Sequence, residues 1–256
     1  MTRDSRLATR DSVLAAVLGG VLAALVATAW HEVVTEPLVD QAIQLEEARH
    51  GGEAEAPVVS RRTQRFGLGL ALVLYGASWG LALGGVFALA QCWLPGGSPG
   101  RRAVALALAA SWGLALLPFL KYPANPPGVG DPETIGMRQA LYFALLGLGS
   151  LGAPAALAVG NGLSARVRPG WIAGAAWPIA IAGYLVYCGV IYVALPPNPD
   201  PTPIPIELLN GFRLRSGLGL LIFWAVFAAA FGYLARRWSE PQASALAEGG
   251  GLRPTR

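Results

Sequence analysis

The chain is poor in charge and almost without lysine. Asp, Glu, Lys and Arg make up 13% of its 256 residues, against about 25% in soluble domains. So few polar residues do not cover the surface of a soluble domain of this length. The hydrophobic share of 54% excludes a mostly disordered chain despite 33 Gly and 20 Pro. Histidine, cysteine and methionine occur only twice each. Cys92 and Cys188 lie in different apolar runs with no CxxC spacing and read as small buried hydrophobes. No HExxH, no GxSxG with a companion His and no GxxxxGK[ST] phosphate loop occurs. With no convergent acid, base and nucleophile, an enzyme is not expected, nor an ATP motor within this chain.

What remains is apolar, with a mean hydropathy of +0.49. One Lys and 18 Arg face 15 acidic residues, a net charge of +4. The basic residues sit singly or in pairs at the ends of apolar runs, as topology determinants do, and not on one amphipathic face. That distribution speaks against nucleic-acid binding.

A hydrocarbon core of about 30 Å needs about 20 helical residues to cross it. Six stretches qualify, at roughly 13–34, 67–94, 103–120, 139–163, 171–195 and 216–235. The expected fold is therefore all-α, a polytopic membrane protein of about six transmembrane helices embedded in the lipid bilayer. An N-tail (1–12) and a disordered C-tail (236–256) flank it. Arg3, Arg6 and Arg10 precede the first run, and Ala27-Thr28-Ala29 resembles a signal-peptidase site. The run is longer than a typical signal core, so an uncleaved first span is expected. The tails with the second and fourth loops carry 11 basic and 4 acidic residues, whereas the other three loops carry 8 and 10. The basic excess marks the cytoplasmic side, so both termini are expected there. Each external loop ends in an arginine, Arg65, Arg138 or Arg215, placed before the returning span. Two of these loops share a Pro/Asn signature, Pro123 to Pro127 and Pro196 to Pro199, which suggests three tandem hairpins. Snorkelling arginines are the plainer explanation.

Two places hold residues suited to ion chemistry. At the end of the first span, His31, Glu32, Glu36 and Asp40 join imidazole to carboxylates, a donor set for a borderline divalent cation such as cobalt, nickel or zinc. Ionisable groups near a membrane core mark functional pathways, although interfacial residues meeting headgroups would look the same. Pro37 disfavours the α conformation at Glu36, which leaves the geometry open. The loop from Leu120 to Thr134 is the second place. Its four prolines make a stiff track carrying Lys121, Tyr122, Asn125, Asp131 and Glu133. Lys121 is the only lysine of the chain. A rigid cap over the bundle is the alternative. His50, Glu46, Glu47, Glu53 and Glu55 form a solvated acidic loop that would raise the local cation concentration. Gly76, Gly80 and Gly84 form a doubled GxxxG, a close-packing face for a neighbouring helix or another copy.

Arg61-Arg62-Thr63-Gln64-Arg65, Leu120-Lys121-Tyr122-Pro123 with Asn125-Pro126-Pro127, and Asp131-Pro132-Glu133-Thr134 together resemble the CbtA family of predicted cobalt transporter subunits. Arg138, Tyr142, Phe212-Arg213 and Phe223-Trp224 extend the resemblance, which runs from about Leu14 to Ala235. It implies a multi-pass bacterial inner-membrane protein in cobalt uptake, linked to cobalamin synthesis. It also implies a small His-rich single-span companion of the CbtB type. No permanently bound cofactor is expected; cobalt or another divalent cation is cargo. The expected function is a membrane subunit of divalent metal uptake whose acidic and Pro/Asn-rich external loops form an ion entrance. A non-transporting scaffold and a permease for another small solute are the alternatives, and a homo-oligomer stays open.

Overall fold

A computed structural model describes residues 7–49, 59–166, 171–198, 200 and 202–249. Arg3, Arg6, His50, Glu53, Glu55, Arg168, Pro199, Arg253 and Arg256 lie outside the described residues. Among those described, the chain is all-α with no strand. Six helices are long and apolar enough to cross a membrane. They are α1 (Thr9–Arg49), α2 (Arg61–Ala90), α3 (Pro99–Lys121), α4 (Ile135–Arg166), α5 (Trp171–Ala194) and α6 (Ile206–Gly249).

Hydropathy marks the part of a helix that suits lipid, not where its hydrogen bonding stops. At about 1.5 Å per residue, the 41 residues of α1 are far longer than a bilayer core requires. For the same reason Arg65, Arg138 and Arg215 stand inside α2, α4 and α6, not ahead of them. The expected disordered tail from 236 is corrected in part, because α6 continues to Gly249. The extension is rich in strong helix formers, among them Ala243, Ala245, Leu246 and Ala247.

Both α1 and α3 contain one π turn, at His31–Thr35 and Trp112–Leu116. Each is closed by a backbone bond five residues long, Glu36 N–H to the His31 carbonyl and Leu117 N–H to the Trp112 carbonyl. In both cases the next residue is a proline, Pro37 or Pro118. A proline in a helix lacks the donor for the preceding turn and crowds its carbonyl. One widened turn accommodates it without breaking the helix. The geometry that Pro37 left open is thus a continuous helix with a local bulge.

The chain divides into two compact units. Unit 1 comprises Met1–Val26, Leu68–Leu108 and Phe223–Arg256. Small residues bring its helices together. A Cβ on Gly80 would lie 2.5 Å from the Val17 Cα, and one on Gly84 would lie 2.7 Å from the Val13 Cα. Gly76 and Gly20 meet backbone to backbone. The doubled GxxxG therefore packs on α1 of the same chain. Rings fill the space beside it: Phe87 lies 5.2 Å from Phe231 and Tyr75 lies 5.4 Å from Phe223, between centroids. Gln91 ties down the N-terminal segment, accepting the Leu7 N–H at 2.9 Å and donating to the Leu7 carbonyl at 3.0 Å.

Unit 2 comprises Ala27–Gly67 and Ala109–Ile222. One apolar cluster joins Leu38 and Ala42 to Ile204, Leu208, Leu209 and Phe212. A second joins Leu117, Leu145, Cys188 and Ile191. Cys188 is a buried free thiol there, the small hydrophobe expected. Unit 2 also holds the candidate site.

Candidate functional site

The end of α1 carries the first group. Glu36 and Asp40 are four residues apart, as are Arg61 and Arg65 on α2, and such pairs share a helix face. The two faces meet. Arg61 Nη2 donates to Glu36 Oε2 at 2.5 Å and to Asp40 Oδ1 at 2.8 Å, while Arg61 Nε donates to the same Asp40 oxygen at 3.0 Å. Arg65 Nε lies 3.2 Å from Glu36 Oε2, and its Nη2 donates to Asp40 Oδ2 at 2.6 Å. Only 9% of the Glu36 side chain is exposed, so its charge depends on these guanidinium partners. Two carboxylates and two guanidiniums make a neutral cluster, with charge-assisted bonds throughout.

His31 and Glu32 belong to the π turn and do not join that cluster. His31 packs on α6: a Cβ at Gly219 would lie 2.6 Å from its Cε1. Its Nδ1 is 3.1 Å from the Thr35 hydroxyl. The neighbouring Trp30 donates its indole N–H to the Arg215 carbonyl at 3.0 Å. Arg215 thus anchors through its backbone. Glu32 is half-buried and makes no hydrogen bond or ion pair among the described residues. The expected quartet of His31, Glu32, Glu36 and Asp40 is divided between separate partners. Among the described residues no group of three His, Cys, Asp or Glu side chains is placed to hold a metal ion.

The proline-rich loop is the second group. Lys121 Nζ stands 4.8 Å above the centre of the Tyr192 ring, a cation–π contact. Tyr122 donates its hydroxyl to the Pro196 carbonyl at 2.7 Å. Burial pushes its phenol pKa up, so it stays a neutral donor. Asn125 Oδ1 accepts from Arg213 Nη2 at 2.8 Å. Asp131 caps the short turn Pro132–Thr134 by accepting the Glu133 N–H at 2.9 Å. Glu133 itself points no carboxylate at another described residue.

Asp200 joins this loop to the next. Its side chain is fully buried. It accepts the Thr134 hydroxyl at 2.6 Å and the Asp131 N–H at 3.2 Å, and pairs with Arg138 Nε at 3.0 Å. Arg138 Nη2 also donates to the Asp131 carbonyl at 3.0 Å. Arg138 therefore holds the loop, whereas Arg65 serves the α1 cluster. An open cavity of about 350 Å³ lies alongside, lined by Tyr122, Arg138, Gln139, Tyr142 and Asn198 among others.

Asp200 is not among the residues singled out from the sequence, and Arg61 and Arg213 stand there only in the motifs of the family resemblance, with no role assigned. The spacing of Arg61 and Arg65 was a usable signal, given a helix that starts at Arg61. For Asp200 the only cue was its place directly after the second Pro/Asn run.

No curated protein and no solved structure matches the chain. A family model described as "Probable cobalt transporter subunit (CbtA)" matches residues 9–236, most of the chain's length, and the chain belongs to that family.

Proposed function

We propose that this multi-pass protein is the polytopic subunit of a cobalt uptake system in the bacterial inner membrane, with both termini cytoplasmic. Cobalt is its cargo. A small His-rich single-span partner, CbtB-like, supplies imidazoles that this chain lacks. The Lys121–Glu133 loop, with Tyr122, Asn125 and Asp131, shapes the mouth of the ion entrance, and the acidic residues beyond α1 draw cations to it. Within the entrance, His31 and Glu32 meet the ion, while Glu36 and Asp40 hold the first two helices in register through Arg61 and Arg65.

The observation that carries this reading is Glu32. A half-buried carboxylate near a membrane core is costly unless something balances its charge, and no described side chain does so. A passing cation is the missing balance. The test is cobalt uptake into cells that also express the partner, comparing wild type with Glu32→Gln at equal membrane expression. Uptake is expected to fall at least about tenfold, on the scale of one lost charge contact of about 1.4 kcal/mol. Unchanged uptake removes Glu32 from the mechanism.

A second reading has its own support: the carboxylates of Glu36 and Asp40 are already engaged by arginine, as in a protein that stabilises a membrane partner. Reconstitution separates the two. A scaffold moves no cobalt into liposomes with or without the small subunit, and a transporter subunit does so when its partner is present.

A further inference from the structure

Unit 1 contains a groove that the metal reading does not use. It lies between the start of α3 and the late turns of α6 and has a volume of about 850 Å³. Gly97, Ser98, Gly100, Arg101 and Val104 line one side, and Gly232, Tyr233 and Arg236 line the other. Among the described residues its lining holds two cations and no carboxylate. The two helices cross closely here. A Cβ on Gly100 would lie 2.6 Å from the Gly232 carbonyl oxygen and 2.8 Å from the Arg236 Cβ, and Arg101 is the next residue. A lining that carries two guanidiniums attracts an anion. Arg102 is turned away, donating from Nε to the Gly96 carbonyl at 3.1 Å.

The position of the groove limits what that anion is. It sits where the apolar helix α3 begins, at Pro99, and where the apolar stretch of α6 ends, at Ser239. Those are the levels at which membrane helices meet lipid headgroups. The walls continue as apolar surface. Arg101, Val104 and Leu108 recur at spacings of three and four and so share one face of α3. Leu108 is 56% exposed and Tyr233 on the opposite wall is 65% exposed. A basic head that runs into an apolar track fits a molecule with an anionic end and a hydrocarbon end. A free anion gains nothing from the track.

We propose that this groove binds the phosphate headgroup of an anionic phospholipid, with Arg101 and Arg236 pairing the phosphate and Val104, Leu108 and Tyr233 flanking an acyl chain. Basic pockets between membrane helices recognise phospholipid headgroups by this combination of charge and depth. Guanidinium forks suit phosphate oxygens better than a point charge does.

The experiment is native mass spectrometry of the full-length chain in detergent, titrated with phosphatidylglycerol, with phosphatidylcholine and with inorganic phosphate. Phosphatidylglycerol is expected to bind the wild type more tightly than phosphatidylcholine does, and inorganic phosphate is expected not to displace it. The double variant Arg101→Gln/Arg236→Gln is expected to bind phosphatidylglycerol about 30-fold more weakly, from a contribution of about 1 kcal/mol per basic residue. Arg101→Lys/Arg236→Lys keeps both charges and is expected to retain most of the affinity, which separates lost contacts from lost folding. Equal binding of the two lipids overturns the proposal, as does undiminished binding by the glutamine variant. Displacement by millimolar phosphate identifies a free-anion site and overturns the lipid assignment.

Discussion

Both units have apolar packing, and they differ in what is added to it. In unit 1 the helices touch through Gly20, Gly76, Gly80 and Gly84, with phenylalanine and tryptophan rings beside them. In unit 2 ion pairs and loop hydrogen bonds join what glycine contacts do not: Glu36 and Asp40 with Arg61 and Arg65, and Asp200 with Arg138 and Thr134. Apolar burial gives little drive between helices that are already in lipid, so close van der Waals contact has to bind the first kind. The second kind depends on charge and lies among the residues expected to meet the cargo. Charged side chains that act on an ion need a framework that holds their neighbours, and in unit 2 that framework is itself ionic.

The strongest way to break the contrast is to crowd unit 1. Gly76→Leu forces a side chain into the backbone of Gly20, and overpacking at a site with no room costs about 3 kcal/mol or more. The expected result is loss of cooperative thermal unfolding in detergent, read by helical circular dichroism. A variant as stable as wild type would show that α1 and α2 do not depend on backbone contact at Gly20 and Gly76. In unit 2, Asp200→Asn leaves Arg138 without its anionic partner. The expected cost is about 2 kcal/mol, below the range for a fully buried pair because Arg138 is 27% exposed. Adding Arg138→Gln is expected to recover part of that loss, and additive effects in the double-mutant cycle would mean the two residues do not act together. The smallest effect is in the proline-rich loop. Lys121→Ala removes one cation–π contact, worth about 0.5 kcal/mol, and Lys121→Arg is expected to restore it; unfolding midpoints read both.

Much of this was legible in the sequence, and the misses have physical causes. Long apolar runs revealed the helices because their cost in water leaves them one environment. The doubled GxxxG showed its contact because only small residues permit backbones to touch. Arg138 was legible from its place at the end of a stiff loop. Asp200 was not, because an aspartate among prolines reads as solvated, and its burial follows from two loops distant in sequence. The arginine cluster was missed in detail for a local reason. Hydropathy starts the second span at Gly67, so Arg61 and Arg65 read as loop residues and their shared helical face does not show. Glu36 and Asp40 suffered likewise, since Pro37 suggested a break where α1 only widens. Glu36 and Asp40 therefore read as ion ligands where the chain pairs both with arginine.

The widened turn at His31–Thr35 fixes the rotational phase of everything after it on α1. Were that turn to tighten into ordinary α-helix with all its residues kept, Glu36 and Asp40 would swing by about 100° around the axis. Both carboxylates would then face away from Arg61 and Arg65. The bulge thus works as a spacer that sets the angular alignment of two helices.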